Sequence, residues 1–66
     1  MMSVLVNGER VELDTGASVR DLLGTLGYPD RGIAVAVDGV VVPKGRWDRL
    51  IEDASAIEIV TAVQGG

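Results

Sequence analysis

The chain has 66 residues, of which 47% are hydrophobic and 24% charged, and its formal net charge is −4 at pH 7. This length accommodates one compact domain. Cys and His are both absent, which excludes a disulfide framework, a Cys/His zinc site and catalysis by a thiolate or an imidazole. The six Lys and Arg residues are dispersed among ten Asp and Glu residues, which disfavours binding to nucleic acid. No signal peptide and no membrane-spanning apolar run is found, so we expect a cytoplasmic protein that does not bind membranes.

The first predicted element is a hairpin. Asn7-Gly8 separates two apolar runs, and this dipeptide tolerates the positive φ values of a type I′ turn. In that register Val4 lies opposite Val11, and Met2 lies opposite Leu13. Because side chains alternate along a strand, one face of the hairpin belongs to the core. The predicted core face consists of Val4, Val6, Val11 and Leu13, and the other face of Ser3, Leu5, Arg10 and Glu12.

A helix follows the hairpin. Apolar residues recur there at the i, i+3, i+4 and i+7 spacing of an amphipathic helix. Ser18 is the predicted N-cap, Asp21 completes a capping box, and Gly27 supplies a left-handed stop. The apolar stripe consists of Val19, Leu22, Leu23 and Leu26.

A second hairpin is predicted after the helix. Ile33–Val37 is rich in β-branched residues, and Asp38-Gly39 forms a two-residue turn into Val40–Val42. In residues 44–53 the apolar residues follow neither a helix period nor a strand period. We expect Trp47 and Leu50-Ile51 to pin this stretch against the edge of the core.

The last predicted strand spans residues 57–63. Two hairpins separated by one helix, with a further strand at the end, predict an α+β fold of order ββαββ, in which the helix packs across one face of a mixed sheet. The final strand then lies parallel to the first in the middle of the sheet. This is the β-grasp arrangement, the fold of ubiquitin. We therefore expect a domain over residues 1–63 and a flexible tail over residues 64–66.

The tail is the predicted reactive segment. Gly65 and Gly66 carry no side chain beyond Cα, so the backbone can pass through a narrow channel and approach a nucleotide closely. A terminal carboxylate on Gly66 can attack the α-phosphate of ATP. Nothing in the sequence resembles a phosphate-binding loop, so a partner must supply the activation.

Two segments resemble a known family. Residues 42–47 fit the pattern Val-Pro-x-x-x-Trp, and residues 57–66 fit Ile-Glu-Ile-Val-x-Ala-Val-x-Gly-Gly. Asn7-Gly8 and the predicted helix also fit. Over essentially the whole chain the sequence resembles the ThiS family, the sulfur carriers of thiamine thiazole biosynthesis.

The resemblance implies a protein co-substrate and not an enzyme. It implies that Gly66 is adenylated by an E1-like, ThiF-type enzyme using MgATP, and that a persulfide donor then converts the acyl adenylate to a thiocarboxylate. It further implies that a ThiG-type thiazole synthase takes the sulfur. The chain itself is expected to bind no cofactor and no metal, and Gln64 and Gly65 belong to the tail that enters the partner.

Two departures from the family pattern stand out. Ala54-Ser55 replaces a common Gly-Asp ahead of the last strand, which leaves the turn geometry there in question, and Gln64 stands where a small residue is common.

The sheet face opposite the helix is a candidate docking surface. We expect Leu5, Val60 and Ala62 on it, as partner-binding residues beside the tail, although isolated apolar residues are ordinary on protein surfaces. Two alternatives remain open on the sequence. One is a carrier for molybdopterin, cysteine or tRNA sulfur, and the other is a ubiquitin-like binding module without tail chemistry.

Overall fold

The computed structural model describes residues 1–61, which fold as a five-stranded sheet with one helix. The sheet has the strand order β2-β1-β5-β3-β4. The predicted α+β, β-grasp fold is confirmed. The elements are β1 (Met2–Val6), β2 (Glu9–Leu13), α1 (Val19–Leu26), β3 (Ile33–Val37), β4 (Val40–Val42), a 3₁₀ turn (Lys44–Arg46) and β5 (Ala56–Thr61).

Both hairpins form as the turn residues predict. Val4 lies opposite Val11 and Met2 opposite Leu13. The first residue of each two-residue turn has positive φ, 52° at Asn7 in the first hairpin and 51° at Asp38 in the second. Asn and Asp tolerate this conformation better than most residues, so local chemistry sets the register of both hairpins.

Helix α1 begins and ends at the predicted caps. The Asp21 backbone N–H donates to the Ser18 hydroxyl over 3.1 Å, and the Ser18 backbone N–H donates to the Asp21 carboxylate over 2.9 Å. At the other end Gly27 is left-handed, with φ 79°. Three members of the apolar stripe are buried against the sheet, but Leu26 is 38% exposed because the helix ends beside it.

The stretch between β4 and β5 closes one edge of the core. Trp47 is only 3% exposed, and its indole N–H donates to the Val42 carbonyl over 3.1 Å. Ile51 is also buried, as predicted, whereas the prediction for Leu50 is wrong, since that side chain is 61% exposed. Leu50 forms a backbone bridge with Ser18, and in extended backbone adjacent side chains point to opposite sides, so only one of the pair reaches the core.

Strand β5 occupies the centre of the sheet. It runs parallel to β1 and antiparallel to β3, as predicted. Ile57 and Ile59 are buried under α1, so this strand carries part of the core. The predicted domain boundary at residue 63 and the tail lie outside the described residues. No helix within residues 1–61 is long and apolar enough to cross a membrane.

Candidate functional site

The predicted reactive segment follows β5 in the sequence. Thr61 is the last described residue and lies opposite Ile33 of β3. Gln64, Gly65 and Gly66 lie beyond it, outside the described residues. What the structure does give is the anchor from which they extend, a central strand with buried Ile side chains.

The two neighbours of β5 support it unequally. On one side β3 pairs with it from Ile57 to Thr61. On the other side β1 pairs with it only at two positions, Leu5 opposite Ala56 and Val6 opposite Ile57. The end of β5 that leads toward the tail therefore extends past β1.

Side chains from three turns bond to the backbone of β1 and β5. The Ala56 N–H donates to the Asp38 carboxylate over 2.8 Å, and the Ser3 N–H donates to the Asp53 carboxylate over 2.9 Å. The Asn7 carboxamide accepts from the Ile59 N–H over 2.9 Å and donates to the Ile59 carbonyl over 3.1 Å. The sequence pattern identified Asn7 as a turn former only; its contact with a residue 52 positions away carries no local signal.

The sheet face opposite α1, which we call the open face, carries two of the three predicted docking residues. Leu5 is 46% and Val60 is 60% exposed, while Val4 and Val6 on either side of Leu5, and Ile59 before Val60, are buried. By register Ala34 lies beside Val60 on this face. Glu58 stands between Leu5 and Val60 along the face, so the two are not one continuous apolar patch.

The open face also holds apolar residues that the sequence reasoning did not single out. Val41, on the edge strand β4, is exposed opposite Ala36, and Ala36 in turn lies beside Glu58. The alternation of side chains along β3 and β4 is the sequence signal that would have placed them on this face. Ala62, the third predicted docking residue, lies outside the described part of the chain.

The carboxylate of Asp21 serves local structure. Hydrogen bonding from the Ser18 backbone N–H, and secondarily from its hydroxyl, lowers the pKa of Asp21, and this carboxylate belongs to the helix cap. In the same part of the chain no group of three or more Asp or Glu residues is placed to hold a metal ion. An open depression of about 620 Å³ is lined by the end of β2, the following loop and α1, and none of its lining residues belongs to β5.

Comparison with known proteins agrees with the fold. The chain is 27% identical to the sulfur carrier protein ThiS of Escherichia coli, over 98% of this chain and 100% of that protein. It is 33% identical to a thiazole synthase of Paramagnetospirillum magneticum over 98% of this chain, which spans only 20% of that longer protein.

A solved structure and a family model complete the comparison. The crystal structure of the thiamine biosynthesis protein ThiS from Geobacter metallireducens superimposes with a TM-score of 0.83 at 26% identity, covering 98% of this chain and 100% of that one. The NMR structure of a thiamine biosynthesis protein from the same organism gives a TM-score of 0.79 at 26% identity over 98% and 88% of the two chains. The model of the ThiS family matches residues 4–66, which is nearly the full length, and the chain therefore belongs to the ThiS family.

Proposed function

We propose that this chain is a sulfur carrier for thiazole biosynthesis and that the carboxylate of Gly66 carries the sulfur. The observation that carries the proposal is the Gly65-Gly66 pair close behind the central strand β5, within a family match that extends to residue 66. The thiazole synthase that contains a segment similar to this chain supports thiazole formation as the pathway.

The chemistry proceeds in three steps. The Gly66 carboxylate oxygen attacks the α-phosphorus of ATP, held with Mg²⁺ by a ThiF-type enzyme, and pyrophosphate leaves. The terminal sulfur of a partner's persulfide then attacks the acyl carbon, and AMP leaves. A thiol then attacks the donor's sulfur in the resulting acyl disulfide, which releases the thiocarboxylate and leaves the thiol and the donor joined by a disulfide. This chain contains no Cys, so persulfide and thiol both come from partner proteins or small thiols.

The open face is the proposed docking surface for the adenylating enzyme and for a ThiG-type thiazole synthase. Leu5 and Val60 supply exposed apolar area on it, and Glu58 between them adds a charge that a basic partner residue can meet. Ala62, which lies outside the described residues, is proposed with them as a partner-binding residue. Docking there holds β5 against the partner while the tail enters its active site.

Mass spectrometry of the intact chain tests the tail chemistry. After incubation with the ThiF-type enzyme of the same genome, MgATP and a persulfide donor, we expect an exchange of one oxygen for sulfur, localised to Gly66 by fragmentation. Deletion of Gly66 is expected to abolish the exchange without loss of the fold. An unchanged wild-type chain, in a system that modifies another ThiS protein, would contradict the proposal.

Two further outcomes identify the alternatives. Thiocarboxylate that a molybdopterin, cysteine or tRNA system consumes, and thiazole synthase does not, indicates a carrier for that other pathway. Partner binding through the open face that survives deletion of Gly66, with biological activity intact, indicates a binding module without tail chemistry.

Docking is tested by a pair of matched substitutions. Val60→Asp is expected to raise the KM for this chain in adenylation, because it places a charge on the open face. Leu50→Asp is the control, since Leu50 is equally exposed but lies between β4 and β5, where it bridges to Ser18. Equal KM values for both variants would contradict docking through this face.

A further inference from the structure

Asn7 contacts β5 at the point where strand pairing with β1 ends. The last backbone bond between the two strands is from the Asn7 N–H to the Ile57 carbonyl, over 2.9 Å. The chain then turns back into β2, with Asn7 left-handed at φ 52°. Strand β5 continues to Thr61.

The Asn7 side chain takes the place of the next β1 residue. Its carboxamide oxygen accepts from the Ile59 N–H over 2.9 Å, and its nitrogen donates to the Ile59 carbonyl over 3.1 Å. A carboxamide presents the same acceptor and donor as a peptide group, so the pairing of β5 extends by one position. Ile59 is buried, and its backbone polar groups need such partners.

Asn satisfies both the turn and this pairing, whereas Asp satisfies the turn and only half of the pairing. Asp38 occupies the equivalent turn position of the second hairpin, at φ 51°, and its carboxylate accepts a bond from the Ala56 N–H at the start of β5. An ionised Asp at position 7 would accept from Ile59 in the same way but could not donate to its carbonyl. The amide at position 7 is therefore matched to β5 as well as to the turn.

We propose that Asn7 is a positioning residue for the proposed sulfur-carrier reaction. Its carboxamide fixes β5 at Ile59, on the side where pairing with β1 has ended, and thereby sets the direction in which the chain continues past Thr61 toward Gly66. This inference rests on the proposed function, since the direction of the tail matters only if Gly66 reacts in a partner's active site.

Two glycine substitutions provide the test. Asn7→Gly keeps a residue that accepts positive φ and removes both bonds to Ile59. Asp38→Gly is the matched control, because it has the same effect on a turn of the same type but removes a bond at the opposite end of β5. Amide hydrogen exchange by NMR should show faster exchange at Ile59 in the first variant and at Ala56 in the second.

Adenylation is measured as ATP–pyrophosphate exchange with the ThiF-type enzyme of the same genome. We expect Asn7→Gly to lower kcat by at least about tenfold, because the carboxylate is misplaced, and to leave KM unchanged, because the open face is intact. Asp38→Gly is expected to lower the unfolding temperature by a similar amount and to keep the wild-type kcat. Wild-type kcat in Asn7→Gly, or an equal loss in both variants, would overturn the positioning role.

The wild-type result distinguishes failure of the Asn7 positioning role from failure of the proposed sulfur-carrier function. If the wild type itself supports no exchange, the proposed function fails and the role of Asn7 fails with it. If the wild type is active and only the Asn7 result is negative, the sulfur-carrier proposal stands and the positioning role alone is lost.

Asn7→Asp provides a further test, the pH dependence of amide exchange at Ile59, which a general loss of stability would not reproduce. At neutral pH its carboxylate faces the Ile59 carbonyl and cannot donate; when protonated it regains a donor and an acceptor. Protection of the Ile59 amide, compared with the wild type at the same pH, is therefore expected to recover as the pH falls through the carboxyl pKa. Protection that equals the wild type at neutral pH, or that fails to recover in acid, would overturn the proposed pairing.

Discussion

Ala54→Gly is expected to stabilise this protein. Ala54 lies in the turn before β5 with φ 66°, a left-handed conformation that residues with a Cβ rarely adopt. Its N–H donates to the Ser3 carbonyl over 2.8 Å, and the next residue, Ser55, donates its N–H to the Glu52 carbonyl over 3.3 Å. These bonds hold the turn, so Ala54 cannot relax its backbone without breaking the entry into the central strand.

The magnitude follows from two opposing effects at one position. A left-handed conformation costs an L-residue about 1–2 kcal/mol, and glycine removes that cost. Glycine also loses more backbone entropy on folding, which lowers the free energy of unfolding by about 0.4–1 kcal/mol. The free energy of unfolding should therefore rise by about 0–1.6 kcal/mol. Each 1 kcal/mol raises the unfolding temperature of so small a domain by about 4–8 °C.

Urea unfolding followed by the fluorescence of Trp47, the chain's one tryptophan, measures the effect. Gly27→Ala is the reverse control: Gly27 has φ 79°, and no heavy atom lies within 4 Å of an added Cβ, so only the backbone cost is introduced. We expect destabilisation by about 1 kcal/mol there. A lower midpoint in Ala54→Gly, together with the expected loss in Gly27→Ala, would refute the reasoning about the turn.

The remaining predictions concern the helix and the core. Ser18→Ala should lower the free energy of unfolding by about 1 kcal/mol in urea titrations, because it removes the N-cap. The pKa of Asp21 is lowered below its ordinary 3.8 in the folded chain. Its ionised carboxylate therefore contributes fully to the free energy of unfolding above pH 3.8, and this contribution is lost as the pH falls through the folded pKa. In acid titrations of stability, Asp21→Asn should lack this pH-dependent loss. Leu22→Ala should cost about 2–5 kcal/mol by calorimetry, because it opens a cavity beneath α1. Trp47→Phe leaves the Val42 carbonyl without its indole donor and should cost about 1–3 kcal/mol by the same measurement.

The parts of the fold that the sequence predicts correctly depend on local chemistry. Asn7-Gly8 tolerates one turn type, Ser18 with Asp21 caps one helix end, and Gly27 stops the other. Each signal lies within a few residues of its effect. Ala54 shows the limit: alanine has no preference for positive φ, and the turn is held there by a bond to Ser3 at the far end of the chain, so no local pattern predicts it.

The candidate site divides in the same way. Alternation along the strands correctly predicts that Leu5 and Val60 share the open face, because the period of two is a property of each strand alone. The bonds from Asn7 to Ile59 depend on which strands become neighbours and on the register between them. That information resides in the assembled sheet, and a pattern read along one segment does not contain it.

Strand β5 has few backbone partners on the β1 side, so hydrogen bonds from turn side chains contribute to holding it in place. Strand β5 pairs with β1 at only two positions, yet it carries buried Ile side chains and leads to the proposed reactive tail. Asp53, Asp38 and Asn7 supply side-chain bonds to the backbone of β1 and β5, from the start of the strands to Ile59. A substitution at the Asn7 end should therefore alter the direction of the tail, one at the Asp38 end should alter stability alone, and one on the open face should alter binding alone. We expect the three kinds of substitution to differ in their effects on adenylation because they lie on different edges and faces of one strand.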